Sequence, residues 1–239
     1  MDDPQRLSEV FVELADTLVA DFDVVDFMTL LTVRCVEVLD ATEAGVLLAV
    51  PGTPLRSVAS SNEAARLLDL FELQAQEGPC LDCYRTGDAI VNHVLTDDDQ
   101  PWPRFAAEAQ SLGFDTVHAL PLRLRGEVIG AMNVFTAGEQ HLDPSTVAIG
   151  QALADVATIG LLHQRSVREA VRLTEQLQVA LNSRVVIEQA KGMVAEREGV
   201  DMQEAFEVLR RYSQRSNQRL SLVAQRLLDR ALSPDELRR

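Results

Sequence analysis

A chain of 239 residues, 46% hydrophobic and 25% charged, has room for one or two cores and an ordinary globular make-up, which excludes disordered, collagen-like and disulfide-stapled classes. Three cysteines suit a reducing compartment, no basic-then-apolar leader opens the sequence and no run of about 18 apolar residues follows, so the expected location is the cytoplasm, off the membrane. The formal charge of −15 speaks against nucleic acid only as an average: residues 184–239 hold eleven Lys and Arg against nine Asp and Glu, a net of +2, which leaves −17 on the first 183.

In chain order, residues 1–21 read as an amino-terminal helical segment. Residues 21–40 read as an amphipathic helix through Phe22, Val25, Met28, Leu31 and Leu39. The apolar run 44–50 ends at the turn cluster Pro51-Gly52-Thr53-Pro54, and 55–60 can return as the second arm of a hairpin. Residues 62–76 have helical spacing, stopped by Gly78-Pro79, and 89–95 are a strand candidate. After an acidic loop at 97–100, a helix over 102–112 ends at Gly113, and 117–124 with 127–135 form the clearest hairpin around Arg125-Gly126.

From Pro144 the composition turns helical. Leu173, Leu177 and Leu181 recur at helical spacing among charged and amide residues, which suits a helix paired with another, over a linker of 163–183. Three helices are then expected. Val186, Ala190, Met193 and Val194 share a face of the first, which Gly199 can cap. The second opens on the capping box Asp201-Met202-Gln203-Glu204 and buries Ala205, Val208, Leu209 and Tyr212, with Arg210, Arg211 and Gln214 opposite and Arg215 at the edge. The third, over 222–232, buries Val223, Ala224, Leu227, Leu228 and Ala231 and exposes Arg226 and Arg230. Six arginines against the single acid Asp229 between Arg210 and Arg230 make this the place for any phosphate contact.

Arg184, Ile187, Gln189-Ala190-Lys191-Gly192, Ala205-Phe206, Leu209-Arg210, Asn217, Leu220 and Val223-Ala224 stand in an order that closely resembles the ANTAR domain family. The resemblance implies a three-helix module, generally dimeric, that binds paired stem-loops in leader transcripts and prevents a terminator hairpin from forming; RNA polymerase need not be contacted. The candidate RNA-binding residues are Arg184, Gln189, Lys191, Arg210, Arg211, Tyr212, Arg215, Asn217 and Arg219: guanidinium and amide donors for phosphate and loop bases, and an aromatic ring for stacking, although helical phase turns Tyr212 toward the core. Leu173, Leu177 and Leu181 are the candidate dimer contacts.

Residues 22–162 look like a GAF domain, on Glu77-Gly78-Pro79-Cys80 ahead of the strand at 89–95 and on the strand, Gly turn and strand with Val128-Ile129-Gly130. The resemblance implies an antiparallel sheet flanked by helices, with a pocket for an unidentified small molecule. The fold expected is thus α+β: a GAF-like sheet, a long connecting helix and an ANTAR bundle over 184–239, in the GAF-then-ANTAR order of actinobacterial-type regulators. The Asn-Lys-x-x-Phe-Asp pattern of cyclic-nucleotide-binding members is absent. Cys80 and Cys83 form a C-x-x-C that reads as a redox pair or as packed thiols, and His118 as a pocket residue or a core histidine. No second ligand cluster completes a metal site, and no catalytic signature stands out. Two rivals remain: a methionine sulfoxide reductase built on the GAF-like part, and a DNA reader built on the helical one.

Overall fold

The computed structural model describes residues 4–19, 22–49, 53–96, 99–138, 141–233 and 236–237; the turn expected at 51–54 and the acidic loop at 97–100 lie partly outside them. By contacts the chain divides into two compact units, residues 1–165 and 166–239.

In the first unit α1 (Pro4–Thr17) and α2 (Val24–Leu39) precede β1 (Glu43–Leu48) and β2 (Arg56–Ser60), then α3 (Glu63–Ala75), α4 (Pro79–Thr86), β3 (Ile90–Val94), α5 (Pro103–Ser111), β4 (Thr116–Leu124) and β5 (Glu127–Thr136). The strands form one antiparallel sheet in the order β2-β1-β5-β4-β3. Strand side chains alternate between faces. Val46, Leu48, Leu120, Leu122, Met132 and Val134 therefore meet α1, α2 and the start of α6 (Pro144–Glu198), whereas Val117 and Phe135 meet α3 and α5, and Leu47, Ala119 and Ala131 meet α4.

The local chemistry fixes the ends of these elements. Asp23 caps α2 by accepting from the amides of Val25 and Asp26, and Asn62 caps α3 through Ala65. Gly78-Pro79 does stop α3, but the same pair starts α4, a helix not expected from the sequence: Pro79 occupies its first turn, where no amide donor is needed.

Residues 144–198 are one continuous helix of 55 residues, so the expected linker and the first helix of the output bundle are a single α6. Its early stretch is long and apolar enough to span a bilayer by composition. That stretch also carries Asp155, and its Leu153, Ala154 and Ala157 are buried against the sheet.

In the second unit the end of α6 packs with α7 (Met202–Ser216) and α8 (Leu220–Leu228) around Ala190, Val194, Ala205, Val208, Leu209, Val223, Ala224 and Leu227. Gly199, at φ 64°, ends α6, and the Asp201 carboxylate accepts from the amides of Gln203 and Glu204 to start α7. The third helix is shorter than expected. It begins at Leu220 and ends at Leu228, because the chain turns at Arg230 with φ 59°. Ala231 is therefore exposed rather than buried, and Leu232 and Leu237 fold back into the core instead.

Candidate functional site

The arginine face of α7 forms as its helical phase requires: Arg210, Arg211 and Arg215 are all exposed. Each has a partner, of which only that of Arg215 is distant in sequence. Glu207 pairs with Arg210 at 3.6 Å and lends its backbone oxygen to Arg211 Nε at 3.2 Å, while Arg215 Nη2 donates to the Leu237 carbonyl at 2.7 Å. Arg215 is thus tethered to the carboxyl-terminal segment. Arg226, expected in solvent, is half-buried and donates to Gln218 Oε1 at 2.9 Å, which braces the corner between α7 and α8.

That corner holds Asn217 and Arg219. Asn217 ends α7 in the left-handed conformation, φ 51° and ψ 38°, which Asn tolerates better than most residues, and its side chain is exposed. Arg219 stands at the start of α8, also exposed, so an amide and a guanidinium project from one tight turn. Tyr212 is half-buried against the bundle core, the orientation its phase suggested.

On α6, Arg184 and Gln189 are exposed, whereas Lys191 is held by Glu188 at 3.0 Å and lies 5.7 Å from the centre of the Phe206 ring. Gln189 and Lys191 are two residues apart and so about 200° apart around the helix. They flank Ala190, whose side chain is buried in the bundle, and cannot serve one flat contact together. Leu173, Leu177 and Leu181 are 55%, 56% and 57% exposed. With Ala170 and Ala180 they fall on one stripe of α6 at about 100° per residue.

In the first unit the three expected pocket residues are not brought together. Cys80 and Cys83 lie on α4 against Leu47, Ala119 and Ala131, and the Cys83 thiol donates to the Ala119 carbonyl at 3.5 Å. Burial pushes Cys83 up to about 12 and Cys80 well above the ordinary thiol value, with the Glu72 carboxyl adding to both, so these are packed thiols rather than thiolate nucleophiles. His118 belongs to the other face of β4, alternating with Val117 and Ala119. It is fully buried, accepts at Nδ1 from the Asn92 amide at 2.9 Å, and is pulled down to about 4 by desolvation. It is a core histidine.

What the sequence reading missed on the α4 side of the sheet is a buried polar cluster. Asp69 and Glu72 on α3 are fully buried, and Asn133 Nδ2 donates to both, at 3.2 Å to Asp69 and 2.8 Å to Glu72. Ser60 Oγ donates to Asp69 at 3.1 Å and the Leu81 amide to Glu72 at 3.0 Å. Desolvation holds both carboxyls well above the ordinary range, and for Glu72 the charge of Asp69 adds to it. An Asn inside a strand whose other interior residues, Val128 to Phe135, are apolar or small was the available signal. Among the described residues no group of three or more His, Cys, Asp or Glu side chains is placed to hold a metal. A groove of about 450 Å³ opens elsewhere on this unit, lined in part by Ala89, Pro121, Arg123, Arg125, Gln151 and Asp155.

Comparison with known proteins agrees with this two-part layout. The GAF domain family matches residues 23–161 and the ANTAR domain family residues 175–228. No curated protein matches the chain. Among solved structures it is similar to residues 122 to 287 of a methyl-accepting chemotaxis protein (17% identity, 66% of this chain and 98% of that one, TM-score 0.51). It is also similar to the GAF domain of a phosphoenolpyruvate-protein phosphotransferase from Coxiella burnetii (14%, 69% and 98%, TM-score 0.51). A third likeness is to the free methionine-R-sulfoxide reductase of Neisseria meningitidis (17%, 70% and 95%, TM-score 0.51). At these identities the likeness is one of fold. The chain belongs to the GAF domain family over residues 23–161 and carries an ANTAR domain over residues 175–228, the architecture of a regulatory protein.

Proposed function

We propose that this protein is a cytoplasmic, signal-responsive transcription antitermination regulator that binds paired RNA stem-loops as a homodimer. The observation that carries the reading is the coincidence of the ANTAR match with the exposed arginines of α7 and the Asn217–Arg219 corner. Arg210 and Arg211 neutralise phosphates, Arg219 and Asn217 reach the loop at the turn, and two copies clamp adjacent hairpins so that the terminator fold cannot form. The exposed leucine stripe of α6 pairs the copies, and a signal received by the GAF domain alters the relation of the two output modules, which requires a ligand of unequal affinity for two conformations.

The test is a gel-shift of the full chain against tandem RNA stem-loops, with duplex DNA of matched length as control. Preference for the RNA at equal salt supports the reading, and preference for the duplex replaces it with a DNA reader. In the same assay Arg210→Gln and Arg211→Gln each flatten the salt dependence of RNA affinity by about one unit of slope. Arg215→Gln has a smaller effect, because Leu237 already engages that side chain. A folded variant lacking all three arginines that binds with unchanged affinity and slope refutes this RNA surface.

A further inference from the structure

We propose that the groove between the free end of β4 and α6 in the GAF domain binds a small dipolar metabolite of the α-amino-acid class. Its carboxylate would meet Arg123 and Arg125, and its ammonium Asp155 and Asp88. The groove has a volume of about 450 Å³, within the range of small-molecule sites. β3 is the outermost strand and pairs with β4 only as far as Ala119, so beyond that residue β4 is itself a sheet edge. A free edge ordinarily accepts another strand. Here the edge is blunted, because Pro121 brings no N–H and its carbonyl already accepts from Gln151 Nε2 at 3.0 Å. The occupant that fits is therefore a solute held by side chains, not a peptide held by backbone.

The charges around the groove supply the independent pointer. Two arginines and two aspartates line one space, yet among the described residues none of the four forms an ion pair. Opposite charges that share a groove without meeting are complementary to a molecule that carries both. They sum to zero, which suits a ligand of zero net charge and opposes a phosphate dianion. The hydrogen-bond inventory sorts the walls in the same way. Both protons of the Gln151 amide are engaged, on the Pro121 carbonyl and on Asp155 Oδ1 at 2.8 Å, so Gln151 and Asp155 are left with the acceptors Oε1 and Oδ2. The arginines have donors only. The guanidinium of Arg123 lies beside Gly87, whose missing side chain keeps that end of the groove open.

Gln151, Asp155 and Ile159 recur every four residues and so share one face of α6, the helix that runs unbroken to Glu198. Occupancy thus acts on the element that enters the output bundle, and it gives the signal of the proposed regulator a place and a ligand class. That consequence rests on the antitermination reading, whereas binding itself does not.

The full chain is melted with each proteinogenic L-amino acid in turn at about 5 mM, and any that shifts the GAF transition is titrated calorimetrically without RNA. The expected result is one site, with Tm raised by about 2 to 5 °C at tenfold excess over Kd. Blocking either end of that amino acid, as its methyl ester or its N-acetyl derivative, should weaken binding at least tenfold. Arg123→Gln, Arg125→Gln and Asp155→Asn should do the same while far-ultraviolet circular dichroism stays unchanged; both arginines are exposed, so their variants test the site without opening the core. The proposal is overturned if no amino acid shifts Tm, if ribose 5-phosphate or inorganic phosphate binds and amino acids do not, if a blocked derivative binds as tightly as its parent, or if the folded arginine variants bind like the wild type. A failed titration leaves the RNA gel-shift standing, and a failed gel-shift leaves the titration standing, so the two readings fall separately.

Discussion

The two units handle polarity in opposite ways. Every buried polar or charged residue among those described, from Thr32 through Asp69, Glu72, His118 and Asn133 to Gln164, lies in the first unit. The second buries only apolar side chains, and it leaves Val167, Val171, Leu173, Leu177, Val179, Leu181 and Val185 exposed along α6. A sheet covered on both faces encloses enough volume to hold hydrogen-bonded polar groups. A bundle of three helix segments with a core of about ten side chains does not, and the long helix beside it shows apolar surface that calls for a partner. The first unit thus keeps its polar chemistry in its interior, and the second leaves its apolar and charged side chains on its outside.

The contrast in core size gives the largest expected effect. Leu209 is fully buried at the centre of the small bundle, and Leu209→Ala should cost about 2 to 5 kcal/mol. In a core of this size that loss should unfold α7 and α8 while the GAF domain stays folded. Hydrogen exchange on the full chain checks this: protection should vanish over residues 202–228 and persist in β4 and β5. Loss of protection in both together would mean that the units fold as one.

The interior polarity of the first unit gives the second. Asp69 and Glu72 have folded pKa values raised above their unfolded ones, so the folded state holds more protons and stability falls as pH rises from the ordinary carboxylate range through the raised values, by up to about 1.4 kcal/mol per pH unit for each group. His118, lowered to about 4, acts oppositely and adds stability as pH rises from there to about 6.5. The Tm of the GAF transition should thus fall most steeply above about pH 6.5, where only the carboxyls contribute. The double variant Asp69→Asn with Glu72→Gln should flatten that fall.

How much of this was legible in the sequence follows the same division. Helical phase placed α7 and its arginines, the capping box placed its start, and hydrophobic alternation placed the β4–β5 hairpin, because each depends on neighbours in sequence. The inward turn of Asp69 and Glu72 depends on Asn133, more than 60 residues away, and the tethering of Arg215 on Leu237, 22 residues away. Periodicity carries no record of such pairs, and an acid at i and i+3 on a helix reads as solvent-facing unless something else shows otherwise. The short α4 was hidden for a local reason: Gly-Pro reads as a stop, yet it serves equally as a start.

The exposed stripe of α6 is tested by Leu177→Glu, which contacts no RNA in the proposed arrangement. Sedimentation of the wild-type chain at tens of micromolar should give a dimer and the variant a monomer. RNA affinity should fall with it by about tenfold to a hundredfold, as two linked sites become one. A wild-type monomer at that concentration removes the dimer reading.

The smallest effect expected is the most discriminating for the cysteines. Cys80→Ser with Cys83→Ser places two hydroxyls where buried thiols packed against Leu47, Ala119 and Ala131, so the GAF domain should lose about 1 to 3 kcal/mol of stability. RNA affinity, set by α7 and its corner, should change less than about threefold in reducing and in oxidising buffer alike. The two readouts separate the roles, since packed thiols act on stability alone and a redox pair acts on binding and only after oxidation. Both thiols are buried and pushed well above the range in which a thiolate forms. A loss of RNA binding in the wild-type chain that appears on oxidation, and that the double variant escapes, would mean that α4 opens far enough to expose them and would make the C-x-x-C a switch.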